Sequence, residues 1–198
     1  MASNGGTHTA WEDVALIREI PGAVICDPAD DVQMEWIIKE FLKMEGIHYV
    51  RSNRKAVRNV YKKGSSFKIG QGNILKEGKD ILIIAAGQLV SEALDCAEEL
   101  EKEGYSVEVI DMFTIKPLDE KLLIKEAKGK SKIVTIENHS IYGGLGSAVS
   151  EVIAENGISV PVKRIGVKEK FGQVGTAEFL QEEFGLTAKQ IKETICQF

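Results

Sequence analysis

Strands and helices in strict alternation from Asp80 onward predict an α/β fold. The expected architecture is a complete C-terminal domain with a mainly parallel sheet covered by helices on both faces, preceded by a partial α/β unit. Two observations carry this. Ile81-Leu82-Ile83-Ile84-Ala85 is a continuous apolar run of strand length, as expected of a strand buried on both faces. The helical stretches that follow stop at glycines, Gly104 and Gly129, before the next apolar run begins.

The elements follow in order. Between Gly87 and Gly104, Val90, Ala93, Leu94 and Ala97 repeat at helical spacing. Val107 to Asp111 is the next strand, and Asp119 caps a helix reaching about Lys128 with Leu122, Leu123 and Ala127 inward. Ile133 to Glu137 is a third strand, Ser147 to Asn156 a third helix and Val162 to Ile165 a fourth strand. Thr187-Ala188-Lys189-Gln190 is a capping box, with Leu186 and Ile191 placed as a hydrophobic staple, and the helix runs on through Ile195 to Phe198.

Upstream, Thr9-Ala10-Trp11-Glu12 reads as a capping box opening a helix that Pro21 terminates. Val24 to Cys26 is a short strand. Asp30 caps a helix with Met34, Ile37, Ile38, Phe41 and Met44 on one face, ended by Gly46 before the strand Ile47 to Val50. One crossover unit and one extra helix cannot cover both faces of a sheet, and a domain of about sixty residues is marginal. The expected organisation is a truncated first domain over 1–61, a linker over 62–69 and a complete domain over 70–198.

Bulk properties exclude several classes. A net charge of −5 argues against a chain that chiefly holds nucleic acid, and the basic runs Arg58 to Lys68 and Lys128 to Lys132 read as solvated loops. No apolar run approaches the roughly 20 residues of a membrane span, and no basic and apolar leader opens the chain. Cys26, Cys96 and Cys196 lie far apart without metal-ligand spacing; they read as small buried apolar residues in a reducing, cytoplasmic setting.

Glycines at the strand-to-helix turn Gly143-Gly144-Leu145-Gly146 invite a dinucleotide reading. Against it, Val149 stands where the third glycine belongs, and Arg164 stands where an acidic ribose ligand would be sought. A sharp turn that packs the next helix is the better reading. His139 sits at a strand's carboxyl end without an identifiable titratable partner and reads as a satisfied loop histidine.

Ordered blocks across the chain resemble the C-terminal section of the transketolase family. They are Gly6-Thr7-His8, Glu12 to Ala15, Ile20-Pro21-Gly22, Asp27 to Asp30, Tyr49-Val50-Arg51 with Arg54, Ile115 to Asp119, Gly143 to Ala148, and Arg164 to Gly172. The resemblance is to transketolases encoded as two chains, here the C-terminal one lacking its beginning. It implies that residues 1–61 are the second half of the domain that binds the aminopyrimidine of thiamine diphosphate.

The resemblance assigns two site residues: His8, which reaches the sugar substrate, and Arg54, which contacts its terminal phosphate. Independently, His8 precedes an expected helix start, where amide N–H groups suit negative charge, and Arg offers a bidentate fork for phosphate. Arg51 and Arg58 are near enough to leave the register of that arginine open. Asn4 stands where the family has an aspartate and receives no role.

The family transfers a two-carbon ketol unit between sugar phosphates of the pentose phosphate pathway, using thiamine diphosphate and magnesium. The Gly-Asp-Gly motif that holds the metal occurs nowhere in this sequence. The resemblance therefore implies a segment inactive alone, with no cofactor tightly bound, that acts with a cofactor-binding N-terminal chain. Whether the chain counts as an enzyme by itself stays open. The competing reading is a non-catalytic assembly module, like the C-terminal domains of 2-oxo acid dehydrogenase or deoxyxylulose phosphate synthase relatives. A homodimer is expected, because the incomplete first domain leaves apolar surface uncovered.

Overall fold

Apolar runs that are buried on both sides decide the layout. The computed structural model describes residues 9–53 and 56–198. In chain order the elements are α1 (Asp13–Arg18), β1 (Val24–Cys26), α2 (Asp31–Phe41), β2 (His48–Val50), β3 (Asn73–Lys76), β4 (Ile81–Ala85), α3 (Leu89–Lys102), β5 (Val107–Asp111), β6 (Thr114–Lys116), α4 (Glu120–Glu126), β7 (Lys132–Ser140), α5 (Leu145–Glu155), β8 (Val162–Val167), α6 (Ala177–Glu183) and α7 (Ala188–Gln197).

The larger sheet has the order β3-β5-β4-β7-β8. Its β5–β4, β4–β7 and β7–β8 pairings are parallel, and β3 joins antiparallel at the edge. Strand β4 is buried throughout, and its side chains alternate between two cores. Ile81, Ile83 and Ala85 point into a cluster with Leu89, Ala93, Cys96 and Leu100 of α3 and with Ile191 and Ile195 of α7. Leu82 and Ile84 point the other way, against Leu123 and Ala127 from the α4 region and Leu145, Val149 and Val152 of α5.

The smaller sheet corrects the expectation of two strands. Its order is β2-β1-β6: β1 pairs parallel with β2 and antiparallel with β6, which departs from the large domain just after β5. Ile115 of β6 thereby packs with Val14 and Ile25, and Phe113 with Cys26 and Ile37. The two halves share a core as well: Trp11 enters the main cluster and meets the Phe184 ring edge-on at 5.0 Å.

Several local readings need correction. Helix α1 begins at Asp13, not after Thr9, and Glu12 accepts from the Trp11 N–H instead of closing a capping box. Helix α2 ends at Phe41, and its inward stripe is Gln33 and Ile37, with Trp36 and Phe41 beside it; Ile38 faces solvent. Lys130, from a run read as solvated, lies buried in an ion pair with Glu108. Cys26 and Cys96 are buried as expected, but Cys196 is exposed. No helix among the described residues is long and apolar enough to cross a membrane.

Candidate functional site

In open α/β sheets the crevice beyond the strands' carboxyl ends is where ligands bind. Here the N-terminal segment fills it. The Gly87 N–H, just past β4, donates to the Asp27 carbonyl at 3.0 Å, and the Asp27 N–H donates to the Phe113 carbonyl at 2.8 Å, continuing the seam. A side chain on Gly87 would begin 2.5 Å from Asp27 Oδ1, so only glycine allows this approach.

Arg51, directly after β2, is the hub of the seam. Its Nε donates to Asp13 Oδ2 at 2.8 Å and its Nη1 to Asp27 Oδ2 at 3.0 Å. Nη1 also reaches the Asn138 carbonyl at 3.0 Å, and Nη2 the Ala10 carbonyl at 3.1 Å. Four groups from α1, the β1 end, β7 and the chain before α1 thus converge on one guanidinium. Burial works against its charge, but Asp27 and Asp13 outweigh that and hold the proton more firmly than usual. The Tyr49 hydroxyl also donates to Asp13 Oδ2, and burial together with that carboxylate pushes the phenol up to about 12.

His139 lies beside this hub, buried in β7. Its Nδ1 is 2.7 Å from the Ser140 carbonyl, which assigns the proton there and leaves Nε2 to accept from the Ala15 N–H at 3.5 Å. That amide is an orphan of the first turn of α1, whose own N-cap residue makes no side-chain capping bond. A histidine 124 residues away therefore caps the helix. The expectation of a loop histidine without a titratable partner needs correction: His139 belongs to β7, with Glu137 Oε2 3.6 Å from Nδ1 and Asp13 Oδ1 3.9 Å from Nε2.

Glu137 performs the same service for α5. Its Oε2 accepts from the Leu145 N–H at 2.7 Å and Oε1 from the Gly146 N–H at 2.8 Å. A Cβ on Gly144 would stand 2.0 Å from Glu137 Oε2, so the glycine turn exists to admit this carboxylate to the helix N-terminus. Arg164 completes the turn, donating to the Ile141 carbonyl at 2.7 Å.

A second cluster ties down the chain just before the expected linker. Asp30 caps α2 through the Gln33 N–H and accepts from the Val60 and Tyr61 amides at 2.8 and 2.7 Å. Tyr61 Oη and Gln33 Nε2 donate to Asp111 Oδ2 at 2.5 and 2.7 Å. Burial pushes the Asp111 carboxyl up to about 7 despite those donors.

The site residues expected from sequence, His8 and Arg54, lie outside the described residues, as does Asn4. The neighbouring arginines are placed. Arg51 is consumed in the seam, and Arg58 donates to Asp95 Oδ2 at 2.7 Å and to the Ser91 carbonyl. The roles of Arg51, Glu137 and Asp111 escaped the sequence reading. Their signal was a charged residue ending or directly following an apolar strand.

Comparison with known proteins decides the family. The model of the family "Transketolase, C-terminal domain" matches residues 70–191. The chain belongs to the transketolase C-terminal domain family. It is 42% identical over 188 residues to the 6-deoxy-6-sulfo-D-fructose transketolase subunit SqwH of a Clostridium species, covering 95% of this chain and 58% of that protein. It is 39% identical over 199 residues to a putative transketolase C-terminal section of Methanocaldococcus jannaschii, covering 100% and 62%. A solved structure described as a split gene transketolase, inactive beta4 tetramer, superposes with a TM-score of 0.89 at 40% identity, covering 97% of this chain and 62% of that one. The chain thus spans about three fifths of the length of these relatives. A 1-deoxy-D-xylulose-5-phosphate synthase of Heliobacterium modesticaldum is also similar, at 34% identity over 96% of the chain and 30% of the synthase.

Transketolases generally use thiamine diphosphate, and the residues described here include no ligand set for its metal. No cluster of three or more His, Cys, Asp or Glu side chains suited to a metal occurs among them. The seam's carboxylates Asp13, Asp27 and Glu137 each bond to the chain's own donors.

Proposed function

We propose that this chain is the C-terminal section of a two-chain ketol transferase acting on sugar phosphates, inactive alone and completed by a chain that carries Gly-Asp-Gly and holds thiamine diphosphate with magnesium. The observation that carries this is the seam. In a fold that commonly binds ligands at its strand ends, Arg51, Asp27 and Trp11 occupy that crevice, so the C-terminal domain serves to brace the N-terminal segment. That segment, over 1–61, is read as part of the aminopyrimidine-binding domain, with His8 directed to the sugar and Arg54 to its phosphate. The internal partners of Arg51 and Arg58 favour Arg54 as the phosphate contact.

Self-association in a reducing cytoplasm belongs to the same reading. Leu42 is 82% exposed, and Leu16, Ile38 and Ile47 on the same N-terminal segment are also exposed, which supports a dimer that covers them. Three free thiols suit the compartment.

The second reading, an assembly module, draws on Phe171, 97% exposed, with Val174 and Phe179 nearby in sequence. Copurification separates the two. Recovery with a chain containing Gly-Asp-Gly supports the ketol transferase; recovery with an acyltransferase core, and no such chain, contradicts it.

A further inference from the structure

Asp111 ends β5 fully buried, and its carboxyl is bonded on one oxygen only. Oδ2 takes the Tyr61 hydroxyl at 2.5 Å and the Gln33 side-chain amide of α2 at 2.7 Å. The Asn73 amide opposite it on β3 favours the charge by proximity, but Asp111 Oδ1 and Asn73 Nδ2 are both buried without a hydrogen bond. Ala85 stands opposite on β4. The other ionisable groups near it are Asp27 and the Cys26 thiol at the end of β1, and Asp30, which faces Tyr61 from the N-cap of α2. All are acids, so none offsets a charge, and Arg51 of the neighbouring seam is engaged by Asp13 and Asp27. The stretch that Asp111 holds is secured by side chains: residues 56–60 form neither helix nor strand. Arg58 is tied to Asp95 and the Ser91 carbonyl, the Val60 and Tyr61 amides to Asp30 Oδ2, and the Tyr61 hydroxyl to Asp111.

We propose that Asp111 is a proton-operated latch: the neutral carboxyl keeps residues 58–61 docked between α2 and β5, and its ionisation favours their release. A buried carboxylate with one oxygen unpaired is costly, and the cheapest relief is water. Water reaches it when the covering stretch lifts, because that stretch is held by side-chain bonds and not by a backbone ladder. The sign follows from the two states. Burial pushes the docked carboxyl up to about 7 despite its donors, whereas a released, hydrated one returns to an ordinary 3.8. Between those values release gives up one proton, so the released fraction grows about tenfold per pH unit and levels off above the upper value. The latch thereby makes the join between the N-terminal segment and the C-terminal domain respond to pH around neutrality.

The test is native-state hydrogen exchange on the full polypeptide carrying this section, as wild type and Asp111→Asn, from pH 5 to 8. The Val60 and Tyr61 amides are read against Ile83 in the centre of β4, each corrected for its intrinsic pH-dependent rate. In the wild type, protection of Val60 and Tyr61 is expected to fall about tenfold per pH unit up to about pH 7, then level off, staying below that of Ile83 throughout. In Asp111→Asn it is expected to be independent of pH. A flat wild-type profile, or a slope that survives in Asp111→Asn, overturns the inference. So does exchange of the two amides only in step with Ile83, because the opening is then global and no latch exists. If Asp111→Asn does not fold, Tyr61→Phe carries the test: it keeps the carboxyl but removes the hydroxyl tether, so the same slope is expected from a lower starting protection. Protection in Tyr61→Phe equal to wild type at every pH overturns the latch.

Discussion

Arg51 Nη1 donates to the backbone carbonyl of Asn138 at 3.0 Å, bridging 87 residues of sequence and joining the end of β2 to β7. A backbone acceptor cannot be altered by a side-chain substitution at 138, so the guanidinium is the variable half of the bond. Replacing it exposes the cost of the whole seam.

Arg51→Met leaves Asp13 and Asp27 buried without their shared cation. Breaking a buried ion pair from one side costs about 3–5 kcal/mol. Chemical denaturation should show a loss of that size, with the N-terminal segment's amides exchanging first. An unchanged denaturation midpoint would count against the hub.

Asp111 predicts a pH dependence. Its folded carboxyl titrates at about 7 against an ordinary 3.8, so between those values the folded chain holds more protons than the unfolded one. Its contribution to stability therefore falls as pH rises through that window and is fully unfavourable above it. Asp111→Asn removes the slope. The stability of the variant relative to wild type should rise by about 2–3 kcal/mol between pH 5 and 8, by denaturation at each pH. A constant difference contradicts the assignment.

Gly144→Ala tests the turn. The new Cβ falls on Glu137 Oε2 and 2.6 Å from His139 Nδ1, so the carboxylate must leave the start of α5. A loss of about 1–3 kcal/mol is expected, with faster exchange of the Leu145 and Gly146 amides. Unchanged protection of these two amides would rule out the carboxylate cap.

Thr187→Ala removes a reciprocal capping box in which Thr187 accepts from the Gln190 N–H and Gln190 reaches back to the Thr187 N–H. About 1 kcal/mol should be lost. Thermal melts will register it, because α7 packs on α3 through Ile191 and Ile195.

Sequence distance between partners separates these sites: local pairs are legible in the sequence and long-range ones are not. The caps at Asp30, Asp119 and Thr187 were legible because donor and acceptor lie three residues apart. So was β4, whose apolar run reflects burial on both faces. The Thr9 box failed because α1 takes its cap from His139, a partner that local sequence cannot show. Strand β6 was missed because three residues before a proline carry little signal, and their partner β1 lies in the other half of the chain. Arg51 looked like one of three candidate phosphate contacts, since its partners stand 24 to 87 residues away.

In the proposed division of labour, this chain braces the substrate-facing segment and a second chain holds the cofactor. Calorimetric titration of thiamine diphosphate with magnesium tests it most directly, first into the isolated chain and then into its mixture with a Gly-Asp-Gly chain. The account predicts tight binding only in the mixture. Tight binding by the isolated chain would contradict it.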